Sequence, residues 1–144
     1  MTPNGSFPEP DSGPRPFSWS GEGEALLADD EPTVRHVAAR ALERLGLTVT
    51  PCANGREAID HFQLDVARWR LIVLDLSMPV LSGEDALGLI RAIRADVPVL
   101  LYSGFGVDEV RERFASHAHV GFLQKPFTVR ALSDAVRDLL GPPA

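Results

Sequence analysis

The chain is 144 residues long, with 44 % hydrophobic and 24 % charged residues and a net charge of −6, the size and composition of one globular domain that buries a core without disulfides or metal. No apolar run approaches the ~18–20 residues of a membrane span, no basic-then-apolar segment opens the chain as an export signal would, and the acidic balance argues against direct nucleic-acid binding. The single cysteine, Cys52, excludes an internal disulfide and a cysteine-rich zinc site and fits a reducing cytoplasm.

Five of the twelve prolines fall between Met1 and Pro16, joined by Gly5, Gly13, Gly21 and Gly23. Such a stretch has no apolar periodicity with which to offset its ordering entropy, so residues 1–23 read as a flexible linker or tail, 24–140 as the folded domain and 141–144 as a short C-terminal tail. The domain opens with the apolar run Ala25–Ala28, stopped by Asp29-Asp30. Pro32 suits the first turn of a helix; Val34, Val37, Ala38, Ala41, Leu42 and Leu45 follow at helical spacing, and Gly46 closes it. Leu47 to Cys52 reads as a strand, and Asn54-Gly55 turns into a helix over Ala58, Ile59 and Phe62, extending toward Val66.

Leu71–Leu74 is the most apolar run and reads as a strand buried on both faces, ending at Asp75. A loop through Met78-Pro79 and Ser82-Gly83 leads to a helix over Ala86, Leu87, Leu89, Ile90 and Ile93. Pro98 to Tyr102 is the fourth strand, ending at Ser103-Gly104, and Val107 to about Ser116 is a weaker, more polar helix. Val120 to Gln124 is the fifth strand, ending at Lys125-Pro126, and Val129 to Leu140 is the last helix. This alternation predicts an α/β fold with a parallel sheet covered by helices on both faces. His36, His61, His117 and His119 read as helix residues without a site, and Trp69 and Met78 as packing residues.

Ligands of open parallel sheets bind at the carboxyl ends of the strands. There this sequence puts Asp29, Asp30 and Glu31 after the first strand, Asp75 after the third, Ser103 after the fourth and Lys125 after the fifth. Crowded carboxylates call for compensation, and oxygen-only ligands suit Mg²⁺. A carboxylate facing Mg²⁺ with an ammonium and a hydroxyl nearby suits acceptance of a phosphoryl group, the carboxylate being the nucleophile. Taken singly, Asp29-Asp30 also reads as a helix N-cap pair, Ser103 as a turn residue and Lys125 as a solvated charge. Asp75 is harder to explain so, because a carboxylate directly after four buried aliphatics needs a partner or a task. Lys125 is the only lysine, while thirteen basic residues are arginine, so its position calls for a compact ammonium rather than a planar fork.

Ala28-Asp29-Asp30-Glu31, Leu74-Asp75-Leu76-Ser77-Met78-Pro79 with Gly83, Ser103-Gly104 and Lys125-Pro126-Phe127, in this order and each at a strand end, resemble the receiver domain of two-component response regulators over roughly Glu24 to Leu140. The resemblance implies a flavodoxin-like (βα)5 sandwich of strand order 2-1-3-4-5. It also implies roles. Asp75 is the phosphoacceptor, Asp30 a direct Mg²⁺ ligand, Asp29 an indirect one, and Ser77 a ligand through its backbone carbonyl. Ser103 is the hydroxyl that turns toward the phosphoryl group, Lys125 pairs with that group, and the Lys125–Pro126 bond is cis. Phe122 occupies the switch-aromatic position, where many members carry Tyr.

The function so implied is a phosphoacceptor that takes its phosphoryl group from a phosphohistidine on a histidine kinase or histidine phosphotransfer domain. It catalyses its own phosphorylation and dephosphorylation without being an enzyme in the ordinary sense, and it works in the cytoplasm with no membrane contact. The Ser103-Gly104-Phe105 step and the run from Gly121 to Phe127 resemble C-terminal receivers of hybrid sensor histidine kinases, with a stand-alone single-domain regulator as the alternative. Four residues after Leu140 leave no room for a DNA-binding output domain. A haloacid-dehalogenase-like aspartyl-phosphate phosphatase needs a second Asp two residues after the nucleophile, where this chain has Ser77. A flavin carrier needs a phosphate loop where Asp29, Asp30 and Glu31 stand, and an inactive scaffold has no need of the full acceptor set.

Overall fold

The computed structural model describes residues 23–140. All but Gly23 of the expected linker, and the expected C-terminal tail, lie outside the described residues. The elements are β1 (Glu24–Ala28), α1 (Pro32–Arg44), β2 (Thr48–Cys52), α2 (Gly55–Leu64), β3 (Trp69–Asp75), α3 (Gly83–Ile93), β4 (Val99–Ser103), α4 (Val107–Arg113), β5 (Val120–Gln124) and α5 (Val129–Leu140). The strands form one parallel sheet in the order β2-β1-β3-β4-β5, as expected.

Period-two alternation along the strands splits the core into two layers. Leu26, Ile72, Leu74, Val99 and Leu101 face α2, α3 and α4, meeting Ile59, Phe62, Leu87, Ile90, Val110 and Phe114. Leu27, Leu71, Val73, Leu100 and Tyr102 face α1 and α5, meeting Ala38, Leu42, Leu132 and Val136. The central strands β1, β3 and β4 are buried along almost their whole length, whereas the edge strands β2 and β5 are only partly covered.

Several boundaries differ from the sequence reading: β2 starts at Thr48 rather than Leu47, and β4 runs Val99–Ser103 rather than Pro98–Tyr102. The second helix stops at Leu64, and Val66–Arg68 forms a separate 3₁₀ turn, so β3 starts at Trp69, two residues before the apolar run. Trp69 is 2 % exposed and belongs to the core, its ring roofed by the Arg68 guanidinium at 5.0 Å. The fourth helix ends at Arg113 rather than near Ser116. Phe114 leaves helical geometry to pack on Phe122, with ring centroids 6.3 Å apart, and Ala115 and His117 then bond three residues back. His119 is not helical. It takes a positive φ of 60° before β5, and its carbonyl accepts the Val99 N–H at 3.0 Å.

Candidate functional site

The same alternation that sorts the core also sorts the strand ends. Asp29 follows Leu27 by two positions, Asp75 follows Val73, and Lys125 follows Leu123, so all three inherit the α1/α5 side of the sheet. Asp75 pairs in register with Tyr102, and Ser103, one position on, has the opposite parity. Close packing fixes this edge: α3 begins so near β3 that a Cβ on Gly83 would overlap the Asp75 carbonyl oxygen. The Lys125–Pro126 peptide is cis, as the resemblance implied.

The structure brings Asp29, Asp30, Asp75 and Lys125 together. Asp29 is fully buried and Asp75 is 3 % exposed, while Asp30 is exposed. Each of the three aspartates brings a carboxylate oxygen within 4.8 Å of the others. This oxygen-only set, two members buried and one open to solvent, fits a hard divalent cation such as Mg²⁺. Asp75 Oδ1 accepts the Ser77 N–H at 3.2 Å and its Oδ2 accepts from Lys125 Nζ at 3.0 Å. Lys125 also reaches Glu31 Oε1 at 2.9 Å and lies 3.4 Å from Asp29 Oδ2. Ser103 is buried, and its hydroxyl oxygen accepts the Phe105 N–H at 3.1 Å. Phe122 is half-buried between Phe114 and the Arg111 guanidinium, which lies 5.9 Å from its ring.

Burial, reinforced by the Asp29 charge, raises Asp75 to about 6 against the opposing pull of Lys125 and the Ser77 N–H. Burial pulls the Lys125 ammonium down, but its bonds to Glu31 and Asp75 more than offset this and hold it above its ordinary range.

Two participants are not among the site residues expected from the sequence. Glu31 stands there only as a neighbour of the acidic pair, and it is an ion-pair partner of Lys125. Tyr102 stands in the sequence only as a strand residue; it is 1 % exposed and donates its hydroxyl to Asp29 Oδ2 at 2.7 Å. The signal was present, since a tyrosine inside an aliphatic strand must find a partner for its O–H. The phosphatase alternative finds no support here: Ser77 lies where a second acid is needed, and its N–H caps Asp75. No helix among the described residues is long and apolar enough to cross a membrane.

Residues 25–137 match the family model of the response regulator receiver domain. Sensor kinase CckA of Brucella abortus is 32 % identical over 121 residues, covering 84 % of this chain and 13 % of that kinase. The alkaline phosphatase synthesis transcriptional regulatory protein SphR of Synechococcus elongatus is 31 % identical over 132 residues, covering 87 % of this chain and 51 % of that protein. The solved receiver domain of the hybrid histidine kinase CckA superimposes with a TM-score of 0.70 at 30 % identity, covering 83 % of this chain and all of that one. The chain thus spans only part of these curated relatives, and with its fold, strand order and acidic strand ends it belongs to the response regulator receiver domain family of two-component signalling.

Proposed function

We propose that Asp75 accepts a phosphoryl group from a phosphohistidine, and that Lys125 and Ser103 stabilise the product. Receiver domains bind Mg²⁺ at an acidic pocket and interact with histidine kinases or phosphotransfer proteins in phosphorelays. The observation that carries the assignment to Asp75 is its environment. Its carboxyl group is nearly buried beside the buried Asp29, with Lys125 Nζ 3.0 Å away. In the transfer one Asp75 oxygen forms the new bond to phosphorus, the phosphorus–nitrogen bond to the donor imidazole breaks, and the imidazole nitrogen keeps the electron pair. Asp30, Asp75 and the Ser77 backbone carbonyl would hold Mg²⁺, with Asp29 acting indirectly. What Mg²⁺ supplies when bound is neutralising charge for the phosphoryl oxygens. Lys125 exchanges its carboxylate partner for a phosphoryl oxygen, and Ser103 turns its hydroxyl from the Phe105 N–H to donate to another.

The likeness to CckA favours a receiver carried by a hybrid histidine kinase, and the single free cysteine, Cys52, favours action in a reducing cytoplasm; a stand-alone regulator is distinguished by the parent reading frame. Incubation with acetyl phosphate and Mg²⁺, followed by intact-mass measurement, should show one added phosphate that Asp75→Asn abolishes. Equal labelling of the Asn variant would refute the assignment.

A further inference from the structure

Tyr102 stands out because the transfer just described does not use it, yet it touches two of the groups that do. Its register partner is Asp75, and its ring packs 5.1 Å from Phe127 and 5.0 Å from the Lys125 ammonium. Its hydroxyl takes Asp29 Oδ2 at 2.7 Å, the same oxygen that lies 3.4 Å from Lys125 Nζ. Asp29 Oδ1 already accepts the Glu31 N–H at 2.9 Å. Three carboxylates therefore compete for one ammonium, and the loosest of its three contacts is to the oxygen that Tyr102 occupies.

We infer that Tyr102 is a positioning residue of this site: by donating its hydroxyl to Asp29 it satisfies that buried carboxylate and leaves Lys125 turned toward Asp75. A buried carboxylate that loses a charge-assisted donor recruits the nearest remaining one, which is Lys125. Without the hydroxyl the ammonium closes onto Asp29 and withdraws from Asp75. The inference rests on the reading of Asp75 as the acceptor, and its test separates the two.

Lys125 is the only lysine of the chain, so protein grown with side-chain ¹⁵N-lysine gives a single ammonium resonance. Tyr102→Phe keeps the ring against Lys125 and Phe127 and removes only the hydroxyl. The experiment compares wild type, Tyr102→Phe, Asp29→Asn and the double variant in the full chain. It reads the Lys125 signal without metal and the rate of phosphate gain from acetyl phosphate at saturating Mg²⁺. Tyr102→Phe should shift the Lys125 signal and slow acceptance on the order of tenfold. In the Asp29→Asn background, where the competing anion is gone, it should leave the signal in place. An unchanged signal or rate in Tyr102→Phe, or the same shift in both backgrounds, would overturn the inference. If wild type takes no phosphate, or Asp75→Asn takes as much, the acceptor reading fails, and the Lys125 signal in the four proteins still decides the role of Tyr102.

Discussion

Asp75 is 3 % exposed, and the burial of this carboxylate makes a claim about stability. Asp75 has a folded-state value of about 6 against an ordinary 3.8, with burial as the largest cause. The folded protein therefore binds more protons than the unfolded chain between these values. The stability this group contributes is fully present below about pH 4 and is lost as pH rises through about 6. At ~1.4 kcal/mol per unit the effect is at most roughly 3 kcal/mol. Asp75→Asn should accordingly raise the melting temperature of the metal-free domain at pH 7 and flatten the slope between pH 4 and 6. A variant that melts lower than wild type at pH 7 would contradict the crowded-carboxylate picture. Asp30, being exposed, contributes far less to that crowding than the buried pair Asp29 and Asp75. Burial was the part of the site that the sequence did not show: Asp29 and Asp30 are chemically identical neighbours, and only the strand's parity decides which of them points into the domain.

At the level of elements, the β3–α3 connection shows how tightly the site is held. Gly83 admits α3 against the Asp75 carbonyl, and any Cβ there collides with backbone. Gly83→Ala should cost about 1–3 kcal/mol, the usual penalty of overpacking, and a denaturant midpoint equal to wild type would show that α3 can retreat. In the same loop Val80 is 78 % exposed and holds a φ of 69°, a left-handed conformation that costs a β-branched residue about 1–2 kcal/mol. Val80→Asn keeps the loop and tolerates that region, so it should stabilise the domain by about 1 kcal/mol in chemical denaturation. The strands and helices themselves were legible because apolar runs and 3.6-residue spacing switch at each boundary. The sites of disagreement have a common cause. Trp69, Phe114 and His119 each take a conformation set by tertiary contact, with the core, with Phe122 and with Val99 respectively, and local periodicity carries no trace of such contacts.

Across the whole molecule, the acidic edge and the α4–β5–α5 side are joined through β4 and β5. Ser103 and Lys125 sit at the ends of these two strands, and Phe122 on β5 packs against Phe114 at the end of α4. The α4 helix has seven residues, lacks a side-chain N-cap and follows Gly104 and Gly106, both with open space around them. Among its described side chains, the one buried in the core is Val110, joined by Phe114 just past its end. By contrast α2 is capped by Asn54, whose side chain accepts the Glu57 N–H, and buries Ala58, Ile59 and Phe62. The lower local stability is therefore expected at α4, and on the proposed acceptor role a small displacement of Ser103 and Lys125 should act on it first. On the proposed acceptor role, a phosphoryl analogue such as beryllofluoride should favour a Ser103 hydroxyl turned to donate to it and shift the population that way. Amide hydrogen exchange should then change most from Gly104 to Ser116 and around Phe122, and little from Asn54 to Leu64. Beryllofluoride that binds while the changes concentrate in Asn54 to Leu64 would mean that the signal leaves the site through β1 and α2 instead.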